Sequence, residues 1–590
     1  MKDFLKYTLA TVTGIIAVSA VMMFLGIISL IGMLASEQSK PKVKDNSVFV
    51  LSLSGAMQER SEDDVFSQIT GNAPAVVGLE DVLNSIRKAK DDDNIKGIYI
   101  EAGMFVPDSP ASTQAIRKQL ADFKESGKWI VAYADAYTQS TYYICSVADK
   151  VLLNPQGVVD WRGLAAQPIF LKDLMAKFGV KMQLAKVGKY KSAPEMFTAD
   201  KMSGPNRERV AAYINGIWDT MLTDVAQSRK LSKQRLDAYA DSMVTLAAEE
   251  LVKMKMVDKL VYASDVKGEI KRLLGIDADR KINQLTLADM KNLPGADNGK
   301  GGEVAVYYAY GDVVDTNPGG INTEACIAGD KVCSDLEKLA DDDDVKAVVL
   351  RVNSGGGSAY ASEQIWHAVT KLRERKPVVV SMGGMAASGG YYLSCAANYI
   401  YAEPTTLTGS IGIFGMFPDF SGLLTDKLGI KFDEVTTNKH SAFGTMARPF
   451  NAEEMAYLNA YIDRGYRLFI KRVAEGRKMS TANVDSIAQG RVWLGSDALK
   501  VKLVDGLGGI DDAVAKAAEL AKLTDYNTAA YPAQPTWMEQ IMAVSSANGN
   551  YLDEQLRQTL GEYYAPFKLI KDINRHNAIQ ARMPYMITIK

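Results

Sequence analysis

Asp91-Asp-Asp-Asn-Ile-Lys-Gly-Ile-Tyr-Ile100 returns later in the chain as Asp341-Asp-Asp-Asp-Val-Lys-Ala-Val-Val-Leu350, at an offset of 250 residues. Working outward, Tyr142-Tyr143 returns as Tyr391-Tyr392 and Pro155 as Pro404, both at an offset of 249. Lys230-Leu-Ser232 returns as Lys478-Met-Ser480 at 248, and Val257-Asp258 as Val504-Asp505 at 247. An offset that drifts by single residues means one fold, duplicated, with small loop deletions. Each copy alternates short apolar strands with amphipathic helices. Strands are expected at Ser47–Leu53, Gly97–Ile100, Trp129–Tyr133, Val345–Val352 and Val378–Ser381. Helices are expected at Leu79–Ala89, Cys333–Ala340 and Tyr360–Arg375. Strands that alternate with helices imply parallel pairing and an α/β fold.

The expected organisation is an N-terminal segment 1–45, a first copy 46–295, a second copy 302–530 and a C-terminal extension 531–590. The Gly- and Asn-rich stretch 292–302 is the natural linker between the copies. A chain of 590 residues is too long for one core. Its net charge of −2 comes without a strongly basic stretch, which argues against nucleic acid as a main partner. His367, His440 and His576 lack metal-like spacing and there is no Cys-x-x-Cys, so no zinc or iron site is expected. Cys145 and Cys395 fall in matching apolar segments and read as core. Cys326 and Cys333 close a short loop and could form a disulfide in an oxidising compartment.

Tyr7 to Ala35 contains no charged residue. A helix of that length exceeds the ~30 Å hydrocarbon core of a bilayer, which favours an uncleaved single-pass anchor over a signal peptide. Lys2 and Lys6 precede the run, and Lys40, Lys42 and Lys44 follow it. Charge therefore does not fix the orientation.

The copies disagree at polar positions. In the second, a strand runs into Asn353-Ser-Gly-Gly-Gly-Ser358 and then a helix. Glycines there can present backbone N–H groups to an oxyanion, which makes Gly356 and Gly357 candidates for that role. The first copy has Gly103-Met-Phe-Val-Pro-Asp108, and Pro107 has no N–H to donate. Thr408-Gly-Ser-Ile-Gly412 places Ser410 on a tight turn between Gly409 and Ile411, whereas the first copy has Trp161 there. A turn serine is more often structural than nucleophilic, and Ser388 in Gly383-Gly-Met-Ala-Ala-Ser-Gly-Gly390 competes with it. A nucleophilic serine needs a base. His440 in the second copy aligns with Lys191 in the first, and Lys189 shares a strand face with Lys191. A lysine serves as base only when burial or nearby positive charge lowers its pKa.

Four motifs together resemble the long, protease IV type of bacterial signal peptide peptidases: Gly188-x-Tyr-Lys-Ser-Ala193, Asn353-Ser-x-Gly-Gly-Ser358, Gly384-x-Ala-Ala-Ser-Gly-Gly-Tyr-Tyr392 and Leu407-Thr-Gly-Ser-Ile-Gly412. The resemblance covers nearly the whole chain. It implies tandem Clp protease/crotonase-like domains built from ββα repeats. It makes Ser410 the nucleophile and Lys191 the general base, with Gly356, Gly357, Gly409 and Ile411 in the oxyanion and substrate region and no cofactor. Gly355 replaces the proline usual in the family's glycine loop. The resemblance further implies a homotetramer in the bacterial inner membrane, with its catalytic copies in the periplasm and signal peptides and other apolar peptides as substrates. Two rivals are a crotonase-like thioester enzyme and a noncatalytic membrane scaffold. Loss of Gly356, Gly357, Ser410 or Lys191 would favour the scaffold, and all four are present.

Overall fold

The computed structural model describes residues 6–8, 11, 13–19, 21–22, 42–61, 76–242, 247–294, 301–317, 325–534 and 579–583. The first half contributes strands β1 (Ser47–Gln58), β2 (Val76–Gly78), β3 (Ile95–Val106), β4 (Trp129–Tyr137), β5 (Lys150–Val159), β6 (Lys181–Lys186), β7 (Lys259–Leu260) and β8 (Asn283–Leu285). The second contributes β9 (Gly302–Tyr310), β10 (Asp312–Val314), β11 (Cys326–Ala328), β12 (Val345–Ser354), β13 (Gly356–Ser358), β14 (Val378–Ala387), β15 (Tyr399–Ala402), β16 (Leu407–Gly409), β17 (Phe414–Asp419), β18 (Val492–Leu494), β19 (Gly506–Leu507) and β20 (Tyr526–Tyr531). A last strand, β21 (Ile579–Arg582), comes from the tail.

The strands expected from sequence form, each extended at its C-terminal end. The repeat pair Asp91–Ile100 and Asp341–Leu350 sits at equivalent places, where a helix hands over to β3 and to β12. In the first sheet the order is β2-β1-β3-β4-β5-β7, with β8 beside β1. In the second it is β18-β16-β14-β12-β9-β20, with β15 beside β14. Both central ladders are parallel. Because helices cover a parallel sheet on its faces, its central strands read as continuous apolar runs. Val378-Val-Val380 and Val348-Val-Leu350 are accordingly fully buried.

The duplication persists in detail. Tyr142 donates its hydroxyl to the Met256 carbonyl and Tyr391 to that of Leu503, both at 2.8 Å. Arg229 grips Asp258 with two N–H groups, and Arg477 grips Asp505 the same way. Lys230 and Lys478, each capping a long helix, share the left-handed dihedrals φ 53°, ψ 45°.

A third sheet joins what the first two keep apart. Its order is β11-β10-β13-β21-β17-β6, so one ladder holds strands from both halves and from the tail. β6 and β17 pair antiparallel over six positions, from Phe414 opposite Lys186 to Asp419 opposite Lys181. This ladder places the two copies' polar residues against one another.

Among the described residues no helix is long and apolar enough to cross a membrane. Most of the expected anchor, Tyr7–Ala35, lies outside the described residues. The described helical positions there expose Ile15, Ile16, Val18, Val21 and Met22. No disulfide joins Cys326 and Cys333.

Candidate active site

Ser410 follows the short strand β16, whose carbonyl and amide groups are committed on both sides. The Gly409 carbonyl accepts from the Ser388 N–H at 2.7 Å, and the Ser410 N–H donates to the Arg491 carbonyl at 2.7 Å. These bonds hold Ser410 at φ 52° and Ser388 at φ 56°. A positive φ is sterically costly for any residue with a Cβ, and such strain collects at sites whose surroundings over-determine it. Gly409 (φ 76°) reaches Ser388 through its backbone.

Lys191 enters from the other half. After β6 the chain turns at Gly188 (φ 111°), where a Cβ would lie 2.7 Å from the Gln489 backbone. The Tyr190 N–H then bonds the Gln489 carbonyl at 2.7 Å. On the facing loop a Cβ on Gly490 would come within 2.7 Å of the Lys191 backbone. Two glycines thus let backbones from opposite halves touch, and the Lys191 side chain is driven inward.

The Lys191 Nζ lies 3.2 Å from Ser410 Oγ, 3.2 Å from the Ser410 carbonyl and 2.8 Å from Ser388 Oγ. Lys191, Ser410 and Ser388 are all fully buried. Burial holds the Lys191 amine well below the usual lysine range, and the Arg209 guanidinium lowers it further. Of its three polar neighbours, the Ser410 carbonyl can only accept. A neutral amine has two N–H groups and one lone pair, so it can donate to that carbonyl and to Ser388 Oγ while its lone pair faces the Ser410 hydroxyl. This is the arrangement of a general base.

The other sequence candidates separate cleanly. Lys189 is exposed, with its Nζ over the Tyr190 ring at 5.4 Å. His440 is on an exposed turn with Nε2 3.4 Å from Glu453. Ile411, a candidate for the substrate wall, is packed inside the second copy's core. The Gly356 N–H donates to Ser354 Oγ at 3.1 Å. Gly357 pairs on one side with Val313 and on the other with Ala581. Three participants escaped the sequence reading. Arg209 sits on the helix Gly204–Arg229 and is tied to the Tyr190 carbonyl at 3.1 Å. Gly389 opens the short helix after Ser388, and its N lies beside Gly356. Ala581 comes from the tail. Only Gly389 left a sequence signal, in the Ser-Gly-Gly run.

The family description Peptidase family S49 matches residues 122–277 and again 370–524. The description Clp protease matches 322–406. Protease 4 of Salmonella typhi is 40% identical over 473 residues, covering 79% of this chain and 75% of that protein. Protease 4 of Haemophilus influenzae is 33% identical over 580 residues, 93% of each chain. The chloroplastic serine protease SPPA of Arabidopsis thaliana is 28% identical over 495 residues, 82% of this chain and 70% of that protein. The duplicated α/β fold and the matches to serine peptidases define a serine peptidase. Matched twice along its length, the chain belongs to peptidase family S49.

Proposed function

We propose that this protein is a membrane-bound serine endopeptidase with a Ser–Lys dyad that degrades signal peptides left after preprotein processing. The observation that carries the reading is the 3.2 Å approach of Lys191 Nζ to Ser410 Oγ across the two halves. Neutral Lys191 takes the Ser410 proton as Oγ attacks the scissile carbonyl. The C–N bond breaks, the Lys191 ammonium protonates the leaving amine, and water then releases the acyl group from Ser410. Backbone amides around Gly356, Gly357 and Gly389 would hold the oxyanion. Ser388 positions the amine and does not attack.

Apolar peptides as substrates follow from the family resemblance carried by the four motifs. The charge-free run Tyr7–Ala35, with Ile15, Ile16 and Val18 exposed, supports a single-pass anchor in the bacterial inner membrane. Catalytic copies in the periplasm and a homotetramer complete the reading. Membership of a peptidase family favours peptide hydrolysis over the thioester enzyme and the scaffold.

The test is hydrolysis of a fluorogenic peptide derived from a signal-sequence core by the full chain in detergent. Ser410→Ala and Lys191→Ala should each lower kcat/KM by at least about 10³-fold. His440→Ala should leave it unchanged. Wild-type activity in Ser410→Ala would sink the dyad.

A further inference from the structure

Glu59 follows β1, and the equivalent acid in the second copy is Asp315. Phe49 pairs with Ile98 as Ala305 pairs with Val348, and Gln58 pairs with Gly78 as Val314 pairs with Ala328. Glu59 comes directly after Gln58, and Asp315 directly after Val314. Both carboxylates reach one loop, Asn353–Ser358, from opposite ends. Asp315 accepts from Ser358 Oγ, the cap of the helix Ala359–Arg375. Glu59 accepts from the Asn353 side-chain amide at 3.0 Å through one oxygen and from Arg351 Nε at 2.5 Å through the other.

The bonds of Glu59 spread to both strands that enter the site. β12 carries Arg351 and Asn353 and runs into Gly355–Gly357, while β14 runs into Ser388. Asn353 Oδ1 accepts from the Met385 N–H of β14 at 3.1 Å. Arg351 donates to Ser381 Oγ at 3.0 Å and to the Met382 carbonyl at 3.2 Å, both also in β14. Glycines admit these contacts. A Cβ on Gly383 would lie 2.9 Å from the Asn353 Cβ. A Cβ on Gly384 would lie 2.3 Å from the Cβ and Oγ of Ser109, which caps the first-copy helix Pro110–Lys124. Glu59, Arg351 and Ser381 are buried. The loop between the anchors has three successive glycines, with Gly356 at φ 97°, and no side chains there to fix the backbone. Its position is set from its ends, and one end is held by the other half of the chain.

We infer that Glu59 is a positioning residue for peptide hydrolysis, a first-copy carboxylate that sets the glycine loop through Asn353 and Arg351. The first half then supplies the clamp on the oxyanion loop as well as the base. This inference rests on the serine–lysine reading for the step that the loop serves. Glu59 touches no reacting atom and acts only through the two side chains it holds. Donors aimed at a developing oxyanion act on the transition state more than on bound substrate, and a small misplacement weakens them. Loosening the clamp should therefore show in kcat and leave KM nearly unchanged. The Lys191 amine answers to burial and to Arg209, so its titration should not follow Glu59.

The test uses the full chain in detergent and starts from Glu59→Gln, which keeps the size of the side chain. One amide oxygen cannot serve both donors, and the new NH2 group opposes one of them. Hydrolysis of the fluorogenic peptide should lose about tenfold to hundredfold in kcat. Affinity for a peptide aldehyde, whose hemiacetal carries the oxyanion, should fall by the same factor as kcat/KM. The acid limb of the pH profile should stay in place. Adding Asn353→Asp exchanges donor and acceptor across the seam. The new carboxylate also shares a face of β12 with Arg351, so the guanidinium regains a negative neighbour. The double variant should recover most of the lost kcat, whereas Asn353→Asp alone, set against Glu59 and Asp108, should be as impaired as Glu59→Gln. Amide exchange of residues 353–358, read by mass spectrometry, should quicken in Glu59→Gln and slow again in the double variant. Thermal melts report folding, and if Glu59→Gln does not fold, the double variant decides. A folded double variant without recovery, or a Glu59→Gln enzyme with parental kcat, overturns the role of Glu59 and leaves the dyad standing. Quickened exchange with no hydrolysis by any chain keeps the clamp and removes the peptidase reading.

Discussion

At the scale of single residues, the proposed chemistry depends on keeping one lysine uncharged. Burial and Arg209 lower the Lys191 pKa, so a larger share of the enzyme holds the neutral amine at a given pH. Activity should rise with pH as Lys191 loses its proton and level off above that pKa, well below the ordinary lysine value of 10.5. Ser388 gives a sharper test. Its hydroxyl lies 2.8 Å from Nζ and can accept from the charged amine as well as the neutral one. Ser388→Ala should cut kcat roughly tenfold to a hundredfold through misplacement of the base. It should also move the acid limb to lower pH, because the ammonium loses an acceptor. A pH–rate profile of kcat/KM measures both, and an unmoved limb with unchanged kcat would remove Ser388 from the site. The identity of the base was only partly legible in sequence. Period-two spacing puts Lys189 and Lys191 on one strand face, whereas the residues lie on a turn after β6 whose geometry Gly188 and Gln489 dictate. Nothing local to residues 188–193 encodes Gln489.

At the scale of elements, the duplication was readable because both copies need the same buried tyrosines, helix ends and arginine–aspartate clamps. Where the first copy lacks the serine, a packed aromatic residue takes its place. Trp161, at the position equivalent to Ser410, is fully buried, 5.6 Å from the Tyr142 ring and 4.9 Å from that of Trp218. Its indole N–H donates to the Leu236 carbonyl at 2.9 Å. Trp161→Ser restores the residue type of the other copy yet should cost about 3–5 kcal/mol, since it removes a large buried ring and leaves a cavity. Chemical denaturation reads that loss. Titration with a serine-directed acylating probe should still count one reactive site per chain, because the described partners of the residue 161 side chain are Tyr142, Trp218 and the Leu236 carbonyl, none of them a base. β21 illustrates the opposite case. Four residues of mixed polarity, Ile-Gln-Ala-Arg, carry no strand signal of their own. Their pairing is decided by an open slot formed by residues more than 150 positions away.

At the scale of the whole molecule, the halves are joined by a polar seam that runs from the buried Arg351–Glu59 pair out to the exposed Asp108. Arg351 in β12 bonds Glu59 of the first half at 2.5 Å, and the Asn353 amide donates to Glu59 and to Asp108, both at 3.0 Å. Asp108 belongs to the first copy's counterpart of the glycine loop, so that segment is part of the contact. Burial, reinforced by the charge of Glu59, raises the Asp108 carboxyl to about 6. The unfolded state holds the ordinary value of 3.8, so the folded state binds more protons between these limits. Stability is thus unpenalised below 3.8 and falls as pH rises through 6, by an amount that solvent around the exposed Asp108 side chain keeps small. Asp108→Asn can still accept from Asn353, and should raise Tm above pH 6 with the gain vanishing below 3.8.

The same seam decides how the dyad can be assembled. Each chain supplies its own Lys191 and Ser410, joined through the β6–β17 ladder and the Tyr190–Gln489 bond of one polypeptide. A chain carrying Ser410→Ala and a chain carrying Lys191→Ala therefore each lack half of every site they can build. Mixing the two proteins, or expressing them together so that oligomers contain both, should recover no turnover of the fluorogenic peptide. Were serine and lysine paired between neighbouring subunits, mixed assemblies would hold some intact pairs, and activity would reappear in proportion to the contacts between unlike chains. Tagging the two chains differently and isolating doubly tagged oligomers makes the outcome decisive. Recovered activity in that fraction would place the site between chains and reduce the β6–β17 ladder to a structural contact.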